Sequence, residues 1–375
     1  MGHLNHSGSD AYEKLVQRMQ KNPVGAPVSP TLFKILKILY DEKEADIGSK
    51  FPMLPSTIEQ IEQNIDMPRE QLKKHLDEMA DRGLVADVDI KGTVYYLLSP
   101  IVVGFFEYTL MRTDDRLPLK ELSALFDQYF HEEGVPEEIF GSDTKMFQAW
   151  AYEKLMPGDV ETEVLDYEKA SEMIRDAGGG GISPCACRRK ANLLEHKSCD
   201  HPIDVCTSLG HAGRWLISHN LARPASADDL LRILDETEKR GMVHLADNVR
   251  KNPAFICHCC GCCCGVLRSI TEAGVYSIQP SNFIAVIDAE KCNGCGVCAK
   301  KCHINAIEIV EEVPGDKKSR KAVLNKDLCI GCGVCVEPCK EDAVIFLRRK
   351  DIYEPPKNKI ELMMRIAMER GRIPS

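Results

Sequence analysis

Eight cysteines carry the most specific chemistry in the chain, and they repeat one pattern twice: Cys292-x2-Cys295-x2-Cys298-x3-Cys302 and, 37 residues on, Cys329-x2-Cys332-x2-Cys335-x3-Cys339. Thiolates separated by two residues wrap three corners of an iron–sulfur cube, and the fourth cysteine leaves on the next turn to reach the other cube. Cysteines for zinc more usually come as two separated pairs.

Ten cysteines remain, and all 18 lie between Cys185 and Cys339, so one half of the chain is built around sulfur and the other has none. Where disulfides do not persist, such clustering indicates metal ligands or redox groups. The first group is Cys185-x-Cys187-x11-Cys199-x6-Cys206; the second packs Cys257, Cys259, Cys260, Cys262, Cys263 and Cys264 into eight positions. Neither spacing is a standard motif. Adjacent side chains diverge and one cluster corner takes one sulfur, so only part of this field is expected to bind. It fits two further 4Fe-4S clusters with two thiols spare, one larger or unusual cluster, or zinc beside one cluster. Further iron–sulfur is favoured because the neighbouring segment already handles electrons. A buried apolar turn of free thiols is the bland alternative. His201 and His258 sit among these cysteines as metal ligands, proton relays or plain neighbours. Arg188 and Arg189 either offset the charge of a thiolate-bound cluster, contact an acidic partner or form a solvated surface pair.

Residues 281–350 resemble the bacterial two-cluster ferredoxin domain, with strands expected at Phe283–Ile287, Ile307–Val310, Ala322–Leu324 and Val344–Leu347. That resemblance implies one 4Fe-4S cluster on Cys292, Cys295, Cys298 and Cys339 and another on Cys329, Cys332, Cys335 and Cys302. Gly294, Gly296, Gly331 and Gly333 let backbone N–H groups turn toward sulfur and equally permit tight turns. Two positions depart from the family, which usually has Pro after the fourth cysteine: His303 follows Cys302 and Lys340 follows Cys339. Local backbone and solvent access, and hence reduction potential, are therefore open at both. The charged insert Gly315–Lys321 reads as a solvated hairpin tip.

The elements that position this chemistry begin with residues 30–115. Apolar residues at helical spacing mark helices near Leu32–Leu39, Ile58–Ile65 and Glu70–Arg82, and short strands flank the turn Lys91-Gly92. With "MADRGLVADVDIKGTVYYLL" this order resembles the winged-helix family. The resemblance implies a third helix able to enter a DNA groove, with Arg69, Lys73, Lys74 and Arg82 as contacts. Residues 1–115 hold 13 Lys plus Arg against 18 Asp plus Glu, and Asp87 and Asp89 flank the turn, which opposes a phosphate backbone. Protein docking or dimerisation is the preferred role. Residues 118–250 are expected to be mostly helical, at Leu119–Phe130, Glu137–Leu155, Tyr167–Ala177, Val205–Asn220 and Ser226–Arg240, with Gly178–Gly181 as a helix end feeding a turn. An amphipathic helix is expected over Asn358–Arg370.

The expected class is α+β multidomain: an N-terminal arm (1–29), a winged-helix-like domain (30–115), a helical cysteine-rich domain (116–280), a ferredoxin-like two-cluster domain (281–350) and a C-terminal helix (351–375). The 44% hydrophobic and 28% charged composition excludes wholesale disorder. Net charge −9 argues against nucleic-acid binding by bulk electrostatics, leaving only a local basic patch for it. The opening residues show neither an export signal nor a twin arginine, and His6 breaks a myristoylation motif at Gly2, so a cytoplasmic protein is expected. The longest apolar run, Ile101–Phe106, is too short to span a membrane. The whole chain resembles cysteine-rich iron–sulfur proteins of anaerobes that join a winged-helix start to a ferredoxin end. The expected function is single-electron transfer as a subunit or redox partner of a larger anaerobic oxidoreductase. Two alternatives stand beside it: a redox-sensing transcriptional regulator, and an oxidoreductase with a catalytic metal in the middle field.

Overall fold

The computed structural model describes residues 7–156 and 168–373. Its N-terminal third is helical with one hairpin. Ser29 caps the helix Pro30–Leu39 by accepting from the Leu32 N–H, and Asp41 and Glu44 form a reciprocal capping box on Glu42–Ser49. Arg69–Asp81 follows, then the antiparallel strands β1 (Val85–Ile90) and β2 (Thr93–Leu98). Lys91 and Gly92 both take positive φ (56° and 85°), as a two-residue hairpin turn requires.

The arm expected over 1–29 is a correction. Ser7–Gln20 is a helix that buries Leu15, Val16 and Met19 against the first core. Their spacing of one, then three, is helical and was legible. Residues 1–6, where neither a myristoylation motif nor an export signal is expected, lie outside the described residues.

The larger correction concerns the middle. Its centre is a seven-stranded sheet, ordered β6-β4-β5-β8-β7-β3-β9. The strands are β3 (Phe147–Trp150), β4 (Gly180–Pro184), β5 (Asp204–Leu209), β6 (Arg223–Ala225), β7 (Val243–Asp247), β8 (Phe255–Cys259) and β9 (Ile278–Gln279). All pairings are antiparallel except β3 with β9. Of the expected helices, Leu119–Phe130 is present, Ser226 caps Ala227–Lys239, and Ala170–Ala177 replaces Tyr167–Ala177, Tyr167 itself lying outside the described residues. Glu137–Leu155 divides into the helix Val135–Phe140 and β3, and Val205–Asn220 into β5 and the helix Gly210–Ser218. The physical reason is burial: every residue of β3 and β7 is buried, so neither shows the alternation that marks a half-exposed strand. The glycine run also divides. Gly178 ends a helix, whereas Gly180 opens β4 where a Cβ would lie 1.8 Å from the Ser208 carbonyl oxygen.

In the C-terminal segment β10 (Phe283–Ile287) pairs with β13 (Val344–Arg348), and β11 (Ile307–Glu311) with β12 (Arg320–Leu324), all antiparallel. The insert after β11 is exposed. The helix Lys359–Glu369 returns to its own chain, burying Leu362 and Ile366 in the first core. Among the described residues no helix is long and apolar enough to cross a membrane.

Candidate metal centres

The structure sorts the eight repeated cysteines across the repeats. Cys302, Cys329, Cys332 and Cys335 line one cavity of about 410 Å³. Cys298 feels the charges of Cys292, Cys295 and Cys339. The first set is largely enclosed; in the second, Cys295 is exposed. Both fit a thiolate-bound cluster. The Ala306 N–H donates to Cys302 Sγ (3.2 Å) and the Ala322 N–H to Cys292 Sγ (3.4 Å), while Lys321 Nζ lies 2.7 Å from the Cys292 carbonyl oxygen. A Cβ at Gly294 or Gly331 would meet a backbone carbonyl oxygen at 2.2 or 2.1 Å, so both loops need glycine. Burial pushes the Cys332 thiol up to about 12, which a metal ion reverses by binding the thiolate.

The ten middle cysteines form two groups. The β8 strand points Cys257 and Cys259 to one face and His258 to the other. Cys206 on the adjoining β5, Cys185 at the end of β4, Cys187 in the next helix and Cys264 surround them. Cys257 interacts electrostatically with Cys206 and Cys259, and Cys264 with Cys187 and Cys259. Thiol donors Cys187 and Cys259, joined by the N–H groups of Val266 and Leu267, hold Cys264 well below the usual thiol range against the cost of burial. Those N–H groups open the helix Gly265–Thr271, and the Arg188 N–H serves Cys185 in the same way.

Cys199, Cys260, Cys262 and Cys263 make the second group, with all four sulfurs within 4.8 Å of one another. Cys199–Cys260 is 3.8 Å, Cys260–Cys262 3.6 Å and Cys262–Cys263 3.4 Å. The expected divergence of neighbours holds between Cys259 and Cys260 and between Cys263 and Cys264, which join different groups. At Cys262–Cys263 it fails, because the turn directs both sulfurs inward. A hydrogen bond from Cys263, then the Arg188 guanidinium, holds the Cys260 thiol well below its ordinary range.

The other expected site residues separate cleanly. Arg188 is buried (1% exposed), with Nε 3.5 Å from Cys260 Sγ and further bonds to the Pro202 and His258 carbonyls. Arg189 instead is half-buried and donates to the Leu110 and Arg112 carbonyls. His258 turns away from sulfur, its Nδ1 2.8 Å from Thr237 Oγ1 and its ring edge-on to His244, and burial keeps it neutral. His201 gives its backbone N–H to Cys199, while its side-chain Nδ1 is buried without a partner.

Two features escaped the sequence reading. The first is a cavity of about 960 Å³ beside the six-thiol group, walled by Glu107, Tyr108, Phe147 and Trp215 as well as by the cysteines. Burial raises the Glu107 carboxyl to about 8, although Gly104 N–H donates to it (2.8 Å). Glu107 lines both this cavity and a neighbouring one beside Phe130 and His131. The second is His303, the departure from Pro. Its Nε2 is 2.7 Å from the Gly241 carbonyl oxygen and its Nδ1 accepts from the Gly261 N–H (3.1 Å), which places the ring proton on Nε2. The residue after Cys302 is thereby tied to the turn between Cys260 and Cys262. One apolar cluster also contains Cys302 and Cys332 together with Cys257, Cys259 and Cys264.

The cations expected to reach DNA all have carboxylate partners in the chain. Arg69 pairs with Glu59 and Glu62, Lys73 with Asp77, Lys74 with Glu78 and Arg82 with Glu44. Asp87 on β1 accepts from Trp215 Nε1 (2.8 Å) and meets His219 Nε2 (2.8 Å), joining the hairpin to the middle segment.

Residues 291–343 match the 4Fe-4S dicluster domain family. The C-terminal segment is a two-cluster iron–sulfur domain. The match implies two 4Fe-4S clusters and an iron–sulfur electron-transfer function. Over 98 residues the chain is 31% identical to the coenzyme F420-dependent sulfite reductase of Methanocaldococcus jannaschii, an alignment covering 25% of this chain and 15% of that protein. The chain thus spans a small part of that relative's length. No solved structure matches the chain.

Proposed function

We propose that the chain is a subunit or redox partner of a larger oxidoreductase, in which the dicluster domain exchanges electrons with further metal held by the middle cysteines. Cys292, Cys295, Cys298 and Cys339 hold the outer cluster, and Cys302, Cys329, Cys332 and Cys335 the inner one. Each cluster, when bound, supplies a one-electron couple. The chain's own residues set access and direction. Exposed Cys295 marks the face open to a partner, and the shared apolar core excludes water between Cys302 and Cys259. His303 links the two regions through hydrogen bonds with Gly241 and Gly261. That contact between Cys302's neighbour and the Cys260–Cys262 turn is the observation that carries the proposal.

The first unit fits a winged helix used for docking. Its hairpin is engaged by Trp215 and His219, and its candidate DNA contacts are neutralised by carboxylates. A regulator reading would need salt-dependent DNA binding that changes with oxidation state. The relative's name also places a similar segment in a reductase.

The cavity favours a second reading, an oxidoreductase with its reactive metal at the six-thiol group. At about 960 Å³ it exceeds twice the 410 Å³ at Cys302 and its neighbours, leaving room for a small molecule beside a cluster. The test of the main proposal is reduction of the anaerobically purified chain by dithionite or a low-potential flavodoxin-like donor. Reduced spectra are expected from both regions and electron delivery to a low-potential dye. A fully loaded chain that no such donor reduces overturns the proposal. Under the second reading, Cys257→Ser abolishes turnover and leaves the dicluster spectra intact.

A further inference from the structure

The four sulfurs of Cys199, Cys260, Cys262 and Cys263 are packed too closely for the corners of a cube. A tetrahedral ion with sulfur at about 2.3 Å holds its sulfurs about 3.8 Å apart. The three short separations here run from 3.4 to 3.8 Å. A cube takes each ligand on a different iron, which spreads the ligand sulfurs further. The molecule contains its own control: among the described residues, no three of the eight dicluster cysteines have sulfurs mutually within 4.8 Å, and neither do any three of the six-thiol group.

Charge gives an independent observation. Arg188 is buried, yet among the described residues no carboxylate forms an ion pair with it. Its acceptors are two neutral carbonyls and Cys260 sulfur. A buried guanidinium without an anionic partner is strongly destabilising. Four thiolates around one divalent ion carry a net charge of about −2, which supplies that partner at Cys260, alongside the charges of Cys185 and Cys259 that Arg188 also feels. The turn closed by Cys263 N–H and Cys264 N–H on the Cys260 carbonyl orders three of the four ligands.

We infer that Cys199, Cys260, Cys262 and Cys263 form a site for one tetrahedral divalent ion, zinc or ferrous iron, at the edge of the cavity that Cys260 and Cys263 share with the six-thiol group. The inference rests on the middle field binding metal, and it divides that field. With four protein ligands the ion has no open position, so it acts by fastening the Cys199 loop to the β8 turn beside His303. Any open coordination position belongs to the other group.

The test uses the full chain, produced in cobalt-supplemented medium and purified anaerobically, with iron, sulfide, zinc and cobalt counted. About one cobalt per chain is expected, with the visible bands of a tetrahedral tetrathiolate ion. Cys199→Ser and Cys262→Ser are expected to remove it, whereas Cys187→Ser and Cys206→Ser retain it. EPR of the dicluster domain, unchanged in all four variants, shows that each has folded. Without cobalt, zinc at one per chain or iron at one beyond the sulfide count identifies the native ion, and either supports the site. Equal loss of iron and sulfide in Cys199→Ser would make it a cluster site and overturn the inference. If only Cys187→Ser and Cys206→Ser lose metal, the inference fails while the proposed electron transfer stands. If no variant changes the metal content, both fail.

Discussion

In the dicluster domain regular cysteine spacing keeps the sulfurs apart, with one set around a cavity of about 410 Å³ and the other reaching exposed Cys295, whereas in the middle field irregular spacing draws four sulfurs together and sets six more, with Cys260 and Cys263, around a cavity of about 960 Å³. The difference lies in what positions each thiol. The dicluster loops are autonomous: two residues between cysteines and a glycine turn suffice, which is why a sequence pattern describes them. The middle thiols arrive from β4, β5, β8 and two helix starts, so only the assembled sheet brings them together. A regular motif thus marks a cluster that a short segment can hold, and an irregular one marks a site that belongs to the fold.

The largest expected effect separates the regions outright. Cys332→Ser removes the inner cluster, about four iron and four sulfide per chain, and leaves the middle metal in place but unreachable from the outer cysteines. Retained middle-field reduction in rapid mixing would break the proposed order. Next comes Arg188→Met, which leaves buried thiolates without their cation and costs about 3–5 kcal/mol by denaturant unfolding under anaerobic conditions. A loss under 1 kcal/mol would show that the charge at Cys260 is small. Gly261→Ala sharpens the contact between regions, because its Cβ would meet the His303 carbonyl oxygen at 2.8 Å. It should cost about 1–3 kcal/mol and slow electron passage at unchanged metal content.

The smallest effect tests the attachment of the hairpin. Burial works against a charge on His219, yet the hydrogen bonds with Asp87 and Asp81 outweigh it and raise its pKa above the usual histidine value. Its contribution is therefore full below about pH 6.5 and is lost as pH rises through the higher folded value. Protection of β1 and β2 against hydrogen exchange, taken relative to the intrinsic base-catalysed rate at each pH, should fall from pH 6 to pH 9 by an amount on the order of 1 kcal/mol, and His219→Asn should remove that dependence. Equal protection across this range in the unaltered chain would contradict the pairing.

Much of this was legible where local rules act alone. The hairpin at Lys91-Gly92, the helix Leu119–Phe130 and the strands β10 to β13 follow from turn residues and periodicity. The sheet was not, because β3, β7 and β8 are short and nearly wholly buried, and a buried strand carries the same apolar signal as a buried helix segment. In the candidate site the cysteines were all visible, but their division was not: Cys259 and Cys260 are neighbours in sequence and belong to different groups through strand alternation. The role of His303 had a signal, its departure from Pro, although only the fold shows that Gly261 is its partner.

The central claim is that metal lies in both sulfur-rich regions. Iron, acid-labile sulfide and zinc per chain after strictly anaerobic purification test it most directly. The expected result is metal beyond about eight iron and eight sulfide, as further iron, further iron with sulfide, or zinc, that Cys257→Ser or Cys199→Ser removes and Cys332→Ser does not. About eight of each and no zinc would confine the metal to the dicluster domain and contradict the claim.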